Sequence, residues 1–222
     1  MTAFDGPGLS SGPAALDSPV ATRIEPDALA ERLARSHAIV QTYEHDLWHQ
    51  QRIPPGQKVK HAAVLVPLVD RSGGTQVLLT QRTSHLHDHA GQISFPGGRV
   101  EPEDRHREDT ALRETEEEIG LPRTAIRVLG ALPDHEMQSG FCITPVVGWI
   151  RPPYSTEPDP FEVQDIFEVP LEYFLTPGNY QRRRYVLEGL DRRYLAIPYG
   201  GRYIWGATAG MLYSLYQLLR AS

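Results

Sequence analysis

Three glutamates near the middle of the sequence have the spacing of a carboxylate cluster on one helical turn. The stretch RETEEEIG, from Arg113 to Gly120, places four glutamates in five consecutive positions. In a helix, Glu114, Glu117 and Glu118 stand at i, i+3 and i+4 and therefore project from one face. Like charges at this spacing repel one another, and the C-terminal end of a helix already carries partial negative charge. The pattern is unfavourable for folding alone.

A divalent cation would offset this charge. Converging carboxylates stay ionised when a cation lies among them, and ligation by oxygen alone favours hard ions such as Mg²⁺, Mn²⁺ or Ca²⁺. The alternative is a solvated acidic face, which is the common outcome of a charge run. Gly97 and Gly98 favour a metal site, because glycine lets the backbone approach a phosphate or a metal closely. The sequence therefore predicts a metal-binding glutamate cluster.

A helix and several strands must position this cluster. The pattern predicts a helix from about His106 to Ile119 that ends at Gly120. The valine-rich runs HAAVLVPLV and TQVLLTQR, separated by DRSGG, predict a hairpin. Further strands are predicted at AIRVLGAL, ITPVVGWI, FEVPLEYF and RYLAIPY, and a C-terminal helix at YIWGATAGMLYSLYQLL. We expect an α/β domain with a mixed sheet flanked by helices.

The N-terminal region predicts an appendage to this domain. Residues 1–22 are rich in Gly, Pro, Ser and Ala and are predicted to form a flexible tail. The stretch EPDALAERLARSHA predicts an amphipathic helix. Residues 23–58 are therefore assigned to a helical segment that packs on the body, and residues 59–222 to the main domain.

Composition excludes several classes of protein. A chain of 222 residues with 40% hydrophobic and 23% charged residues is typical of one globular domain. Its net charge of −6 argues against a nucleic-acid polymer as partner. The single cysteine, Cys142, excludes an intramolecular disulfide framework. Neither an apolar membrane span nor a secretory signal is found, so we expect a cytoplasmic protein without a membrane partner.

The segment GG…RETEEEIGL resembles the signature of the Nudix hydrolases, G-x5-E-x7-R-E-U-x-E-E-x-G-U, in which U is a bulky apolar residue. The fixed letters of its second half fall on Arg113, Glu114, Glu117, Glu118, Gly120 and Leu121. Thr115 replaces an apolar residue. If Gly98 is the glycine of the motif, Arg113 lies one residue later than the general pattern requires, and the upstream acidic position falls on Asp104.

The longer spacing, with FPGG before it and TALRE after it, resembles one branch of this superfamily, the coenzyme A pyrophosphatases. That branch has an upstream motif, L-L-T-x-R-[SA]-x3-R-x3-G-x3-F-P-G-G. LLTQRTSHLHDHAGQISFPGG, at residues 78–98, resembles it without a gap. Thr83 stands in place of Ser or Ala, and His87 in place of the second Arg. Similarity to the branch extends over most of residues 60–215.

This resemblance implies a Nudix-like α/β/α sandwich with a mixed β-sheet and an N-terminal helical appendage. It also implies metal-dependent hydrolysis, with Mg²⁺ or Mn²⁺, of the pyrophosphate bond of coenzyme A or its thioesters. Two alternatives stay open: a Nudix pyrophosphatase that acts on ADP-ribose, dinucleotides or nucleoside triphosphates, and a non-catalytic sensor of a nucleotide metabolite. A homodimer is also left open.

Specific roles follow from the resemblance. Glu114 and Glu118 are expected as principal metal ligands, Glu117 as a third ligand or water-orienting base, and a carbonyl of Gly98 as a further ligand. Arg113 is expected to orient a neighbouring carboxylate, the alternative being an ordinary surface ion pair.

Substrate binding is expected at Arg82, Gly97, Phe95 and His87. For Arg82, a surface arginine at the end of a strand is the alternative. Glu162 and Glu136 lie in segments that could reach the site, so they are candidates for an additional base. His85, His87, His89 and His135 invite a transition-metal site, but alternate positions in a loop do not converge by themselves.

Overall fold

The computed structural model describes residues 22–36, 53–85, 89–187 and 190–220. Nearly all of the predicted tail (residues 1–22), residues 37–52 of the predicted helical segment and His87 therefore lie outside the described residues. Among the described helices, none has the length and apolar character needed to cross a membrane.

The described chain alternates strands with a few helices, and its two longest helices follow β4 and β11. The helices are α1 (Pro26–Ala34), α2 (Arg107–Ile119), α3 (Leu171–Leu175) and α4 (Ala207–Arg220). The first strands are β1 (Lys60–Arg71), β2 (Gly74–Arg82), β3 (Ile93–Ser94), β4 (Gly97–Arg99), β5 (Ile126–Ala131) and β6 (His135–Glu136). The later strands are β7 (Phe141–Ile150), β8 (Val163–Pro170), β9 (Gln181–Leu187), β10 (Leu190–Tyr199) and β11 (Arg202–Trp205).

Strand β1 is the centre of a mixed sheet. It pairs in parallel with β7 and antiparallel with β2, and the path through the sheet runs β3-β2-β1-β7-β5. Strands β4, β6 and β8 add to β1, β7 and β2 respectively. The predicted hairpin of β1 and β2 and the predicted mixed sheet are therefore confirmed.

Helices cover both faces of this sheet. Leu65 and Val66 are adjacent on β1, so their side chains point to opposite faces, and each belongs to a different core cluster. Leu65 packs in the cluster that contains Ala111 of α2, whereas Val66 packs in the cluster that contains Leu33 of α1 and Leu215 of α4. This arrangement confirms the α/β/α sandwich.

The expected helical appendage packs on the body through α1. Pro26 occupies the first turn, where a missing N–H costs nothing. Leu29 and Leu33 are spaced by one turn and are both buried. A Cβ at Gly130 of β5 would lie 3.0 Å from the Cβ of Leu33, so the glycine lets the helix approach the sheet closely.

Two features depart from the predicted elements. Strands β9, β10 and β11 form a second, antiparallel sheet, whereas the sequence predicted one mixed sheet. Strand β9 has the sequence QRRRYVL and lacks apolar alternation. In addition, the strand predicted over FEVPLEYF ends at Pro170, because proline lacks the N–H that would continue the ladder. Leu171 and Phe174 are buried at helical spacing in α3 instead.

We expect Leu65→Ala to lower the free energy of unfolding by about 3 kcal/mol, because a leucine side chain that is 0% exposed leaves a cavity when it is truncated. Urea denaturation measures the change. Val59→Ala is the control: Val59 is 42% exposed, and its truncation should change the free energy by less than about 0.5 kcal/mol. Equal effects of the two substitutions would contradict the placement of the core.

Candidate active site

Helix α2 begins and ends where the sequence predicts. The His106 side chain caps its N-terminus, with the Asp109 N–H donating to Nδ1 at 3.3 Å. Gly120 ends the helix in the left-handed conformation, with φ of 65°, and its N–H donates to the Glu116 carbonyl. These two caps set the ends of the helix, and its buried residues, which include Ala111 and Ile119, determine which face lies against the sheet.

The double glycine of β4 lies directly against two of these glutamates. A Cβ at Gly98 would lie 2.4 Å from the carboxylate carbon of Glu114. The N–H of Gly97 donates to Oε2 of Glu118 at 3.2 Å. Strand β4 is itself fixed by its pairing with β1. Only a residue without a side chain allows the strand to approach the carboxylates this closely.

Glu118 is a buried carboxylate, only 6% exposed. Besides the N–H of Gly97, its neighbour is the guanidinium of Arg82, whose Nη1 lies 3.8 Å from Oε1. Burial raises the pKa of Glu118 to about 8, and the hydrogen bond from Gly97 opposes this rise only in part. The ionised form of Glu118 therefore needs more positive charge than these neighbours supply.

Glu114 is half-buried, one turn before Glu118 on the same face. Burial raises its pKa as well, although Arg113 Nη1 donates to Oε1 at 2.9 Å. The charge of Glu162 also raises the pKa of both Glu114 and Glu118, so the three carboxylates are close enough to interact. The structure thus brings Glu162, which comes from the segment before β8, to the helix.

Arg113 holds a network of carboxylates beside this pair. Its Nε and Nη2 donate to the two oxygens of Asp104, each at 3.1 Å, in the forked geometry that suits a guanidinium. Its Nη1 also donates to Glu117 at 3.0 Å. Arg113 holds the pKa of Asp104 well below its usual range. Arg113 therefore donates to three carboxylates, and its role as an orienting residue stays a prediction.

This network changes the explanation of how the negative charge of α2 is offset. The sequence predicted that a divalent cation alone offsets the charge of the glutamates, but Arg113 offsets part of it within the protein. Glu117 forms an ion pair with Arg113, and its side chain is 59% exposed, so it lies nearer the surface than Glu118. Within the described part of the chain, no group of three His, Cys, Asp or Glu side chains is gathered closely enough to hold a metal ion.

The donor chemistry nevertheless fits a hard divalent cation. Glu114 and Glu118 supply carboxylate oxygens, and Glu118 is a buried carboxylate that lacks sufficient compensating charge. Because Gly98 has no side chain, the Glu114 carboxylate packs directly against the backbone of β4. Glu162 adds a third carboxylate within electrostatic range. These residues could hold Mg²⁺ or Mn²⁺.

Arg82 connects the site to the end of β2. Its side chain is 26% exposed, and its Nε is buried without a hydrogen-bond partner among the described residues. A buried N–H without an acceptor is costly, so such donors are suited to a ligand. The pairing of β2 with β8 shifts register between Gln81 and Arg82, which places the bulge next to the site.

The other residues with predicted roles lie in different surroundings. Phe95 is 2% exposed and packs in the core beside Ile93, so its side chain shapes the turn before Gly97. Glu136 lies on β6, where its Oε2 accepts from the N–H of Ile53 at 3.2 Å. His87 lies outside the described residues. His135 is buried, and burial lowers its pKa to about 4, so it is neutral near pH 7.

Sequence reasoning missed the segment that closes the C-terminal end of α2. The N–H of Glu157 donates to the Ile119 carbonyl at 2.8 Å, and the N–H of Asp159 donates to the Glu118 carbonyl at 2.9 Å. These bonds join residues about forty positions apart through their backbones. Backbone bonds of this kind leave no pattern of side chains in the sequence.

Comparison with known proteins identifies relatives of this chain. A family model described as the NUDIX domain matches residues 59–190. The uncharacterized Nudix hydrolase NudL of Yersinia enterocolitica is 41% identical over 157 residues, which cover 71% of this chain and 80% of the relative. NudL of Photorhabdus laumondii is 39% identical over 173 residues, which cover 76% of this chain and 92% of the relative.

Among solved structures, a binary complex of the Ap4A hydrolase of C. elegans is similar over 51% of this chain and 82% of its own, with 23% identity and a TM-score of 0.43. A MutT/nudix family protein of Enterococcus faecalis is similar over 86% of this chain and 71% of its own, with 17% identity and a TM-score of 0.45.

We expect opposite consequences from alanine at the two glycines. A Cβ at Gly97 would lie 2.4 Å from the carbonyl oxygen of Ala63, which is rigid backbone, so Gly97→Ala should lower the free energy of unfolding by about 2 kcal/mol. A Cβ at Gly98 meets the carboxylate end of the Glu114 side chain, which can be displaced more readily than backbone, so Gly98→Ala should keep a near-native melting temperature and weaken Mn²⁺ binding roughly tenfold. Thermal unfolding and calorimetric titration measure these two effects. Native Mn²⁺ affinity in Gly98→Ala would exclude Glu114 as a ligand.

The pKa of Glu118 predicts how the metal-free protein responds to pH. Between its ordinary value of 4.5 and about 8, the native protein binds more protons at this site than the unfolded chain. The free energy of unfolding should therefore fall as pH rises through this range. Glu118→Gln keeps the shape of the side chain and removes the titration. In the presence of a chelator, it should melt at least about 3 °C above the unsubstituted protein at pH 8, with a smaller difference at pH 5.

Melting curves across this pH range, recorded for both proteins, provide the measurement. Glu116→Gln is the matched control, because Glu116 lies on the same helix and is exposed. If Glu118→Gln and the unsubstituted protein lose stability in parallel as pH rises, the buried carboxylate is not the cause.

Proposed function

This chain belongs to the Nudix hydrolase family, and we propose that it hydrolyses the pyrophosphate bond of coenzyme A or its thioesters. The products would be 4′-phosphopantetheine, or its acyl form, and adenosine 3′,5′-bisphosphate. Membership of the family makes the chain a Nudix pyrophosphatase, and substrates of this class are small molecules that contain a nucleotide. The choice of coenzyme A among them is the proposal.

The contact between Arg82 and Glu118 carries this proposal. Arg82 belongs to the upstream motif that resembles the coenzyme A branch, whereas Glu118 belongs to the Nudix helix. The two motifs are separate in sequence, yet their side chains lie 3.8 Å apart. A guanidinium beside the carboxylates, with a buried Nε that lacks a partner, is suited to a phosphate oxygen of the substrate. The upstream motif therefore lies where it could select the substrate.

Nudix hydrolases use divalent cations such as Mg²⁺ or Mn²⁺, and we propose that Glu114, Glu118 and the Gly98 carbonyl hold them here. When bound, such ions neutralise charge on the pyrophosphate and polarise a P–O bond. Arg113 fixes the rotamer of Glu114 through the bond between Nη1 and Oε1. Glu117 is bonded to the same nitrogen, and its role as a further ligand or in orienting water stays a prediction.

Glu162 is the proposed general base. It is exposed at the site, and its charge acts on both Glu114 and Glu118. Glu162 would accept a proton from a water molecule as the water oxygen attacks phosphorus. The bond between phosphorus and the bridging oxygen then breaks, and its electrons leave with the second phosphate. Glu136 is the weaker candidate because its carboxylate already accepts from Ile53.

For Gly97 and Phe95 we propose indirect roles in place of the expected contacts with the substrate. The Gly97 N–H is already occupied by Glu118, so Gly97 acts through that carboxylate. Phe95 supports the turn from within the core. A role for His87 in substrate binding stays a prediction.

A panel of substrates tests the proposal. Coenzyme A, acetyl-coenzyme A, ADP-ribose, a diadenosine polyphosphate and a nucleoside triphosphate should each be incubated with Mg²⁺ or Mn²⁺, and the products separated by chromatography. We expect coenzyme A compounds to have the highest kcat/KM, and Arg82→Met to lower it by about tenfold while ADP-ribose cleavage changes less. Cleavage of ADP-ribose without coenzyme A cleavage would reject the substrate assignment.

A variant without the buried carboxylate separates an enzyme from a sensor. Glu118→Gln should lower kcat by at least about a hundredfold, because it removes a proposed metal ligand and keeps the shape of the side chain. Glu116→Gln, on the solvated side of α2, is the control. Binding of a nucleotide without turnover in the unsubstituted protein would support the sensor alternative.

A further inference from the structure

Thr83 joins the end of β2 to the segment that carries Glu162. Thr83 is 6% exposed, and its hydroxyl Oγ1 donates to the carbonyl of Phe161 at 2.8 Å. Its backbone N–H donates to the carbonyl of Glu162 at 3.0 Å. One buried residue thus supplies donors to two successive carbonyls that flank Glu162.

Asp159 fixes the same segment from its other side. Its carboxylate accepts from the N–H of Phe161 at 2.8 Å, and its carbonyl accepts from the N–H of Glu162 at 3.1 Å. The N–H of Asp159 donates to the carbonyl of Glu118 itself. The turn that carries Glu162 is therefore attached both to α2 and to β2.

The pairing of the two strands explains why Thr83 can reach this turn. Gln81 pairs with Asp165, but Arg82 pairs with Val163, so β8 has one extra residue at this point. A bulge of this kind changes the direction of the following side chains. It allows Arg82 to point to Glu118 while the next residue, Thr83, binds the turn.

Glu162 has little other support. Its side chain is exposed, so packing does not select its rotamer or its direction. Its position relative to Glu114 and Glu118 depends on where the backbone of the turn is held. If a backbone anchor is lost and the turn moves by about an ångström, the efficiency of a general base on that turn falls.

We propose that Thr83 is a positioning residue: its hydroxyl holds the Phe161–Glu162 backbone so that the Glu162 carboxylate faces Glu114 and Glu118. This inference rests on the proposed function, in which Glu162 is the general base. The alternative is that Thr83 only stabilises the turn. The two differ in whether loss of the hydroxyl acts through Glu162.

Matched variants separate the two roles. Thr83→Val keeps the shape of the side chain and removes the donor, whereas Thr83→Ser keeps the donor and removes a methyl group. We expect Thr83→Val to lower kcat by about tenfold with KM within about twofold, and Thr83→Ser to retain kcat within about twofold. Equal losses in the two variants would overturn the role of the hydroxyl.

A double-mutant cycle with Glu162→Gln tests whether the effect passes through Glu162. In the Glu162→Gln background, Thr83→Val should change kcat by less than about twofold, because the group that Thr83 positions no longer accepts a proton. Multiplicative losses in the double variant would overturn the proposal. Melting temperatures of all four proteins show whether each variant is folded at the assay temperature.

Calorimetric titration with Mn²⁺ provides a readout that does not need turnover. Removing the Glu162 charge should weaken Mn²⁺ binding roughly fivefold, Thr83→Val should weaken it less, and the double variant should match Glu162→Gln alone. If the unsubstituted protein cleaves none of the pyrophosphates while this cycle is non-additive, the proposed function fails and the positioning role stands. Additive effects on Mn²⁺ affinity, with or without turnover, overturn the positioning role.

Discussion

The rest of the site depends on one constraint, the burial of the Glu118 carboxylate. A carboxylate that is 6% exposed loses most of its hydration, and each neighbouring element supplies part of what replaces it. Strand β4 contributes the N–H of Gly97, and β2 contributes the guanidinium of Arg82. The segment before β8 binds the backbone carbonyl of the same residue. Two strands and the segment before β8 therefore meet at Glu118.

Arg113, on the same helix, reduces the repulsion among three other carboxylates. Asp104, Glu114 and Glu117 would repel one another, and a single guanidinium donates to all three. One guanidinium offsets only part of the charge of three carboxylates, but it holds their oxygens in place. The Glu118 carboxylate, which does not bond to Arg113 in this network, has its charge opposed only by the Gly97 N–H and the more distant Arg82.

Local sequence patterns predicted most helices and strands, but contacts between residues distant in sequence could not be predicted. The caps His106 and Gly120 act within a few residues, so the bounds of α2 could be predicted almost to the residue. The arginine-rich β9 could not, because its order comes from pairing with β10 and not from its own hydrophobic pattern. In the site, the glutamate cluster was predicted from spacing, and the role of Arg113 from the resemblance to the Nudix signature. The anchoring of Glu162 by Thr83 and Asp159 was not, since their side chains bond to backbone atoms of the turn, which carry no sequence pattern.

The turn between β4 and α2 bears on how the chain can vary in length. Asp104 accepts from the backbone N–H of Glu101 and from the hydroxyl of Thr110 while it pairs with Arg113, so hydrogen bonds hold the turn closed. A surface turn accommodates a change in length more readily than the strand and the helix on either side of it. The glycines lie on β4 and the glutamates on α2, so a change confined to the turn would leave both of these elements in place.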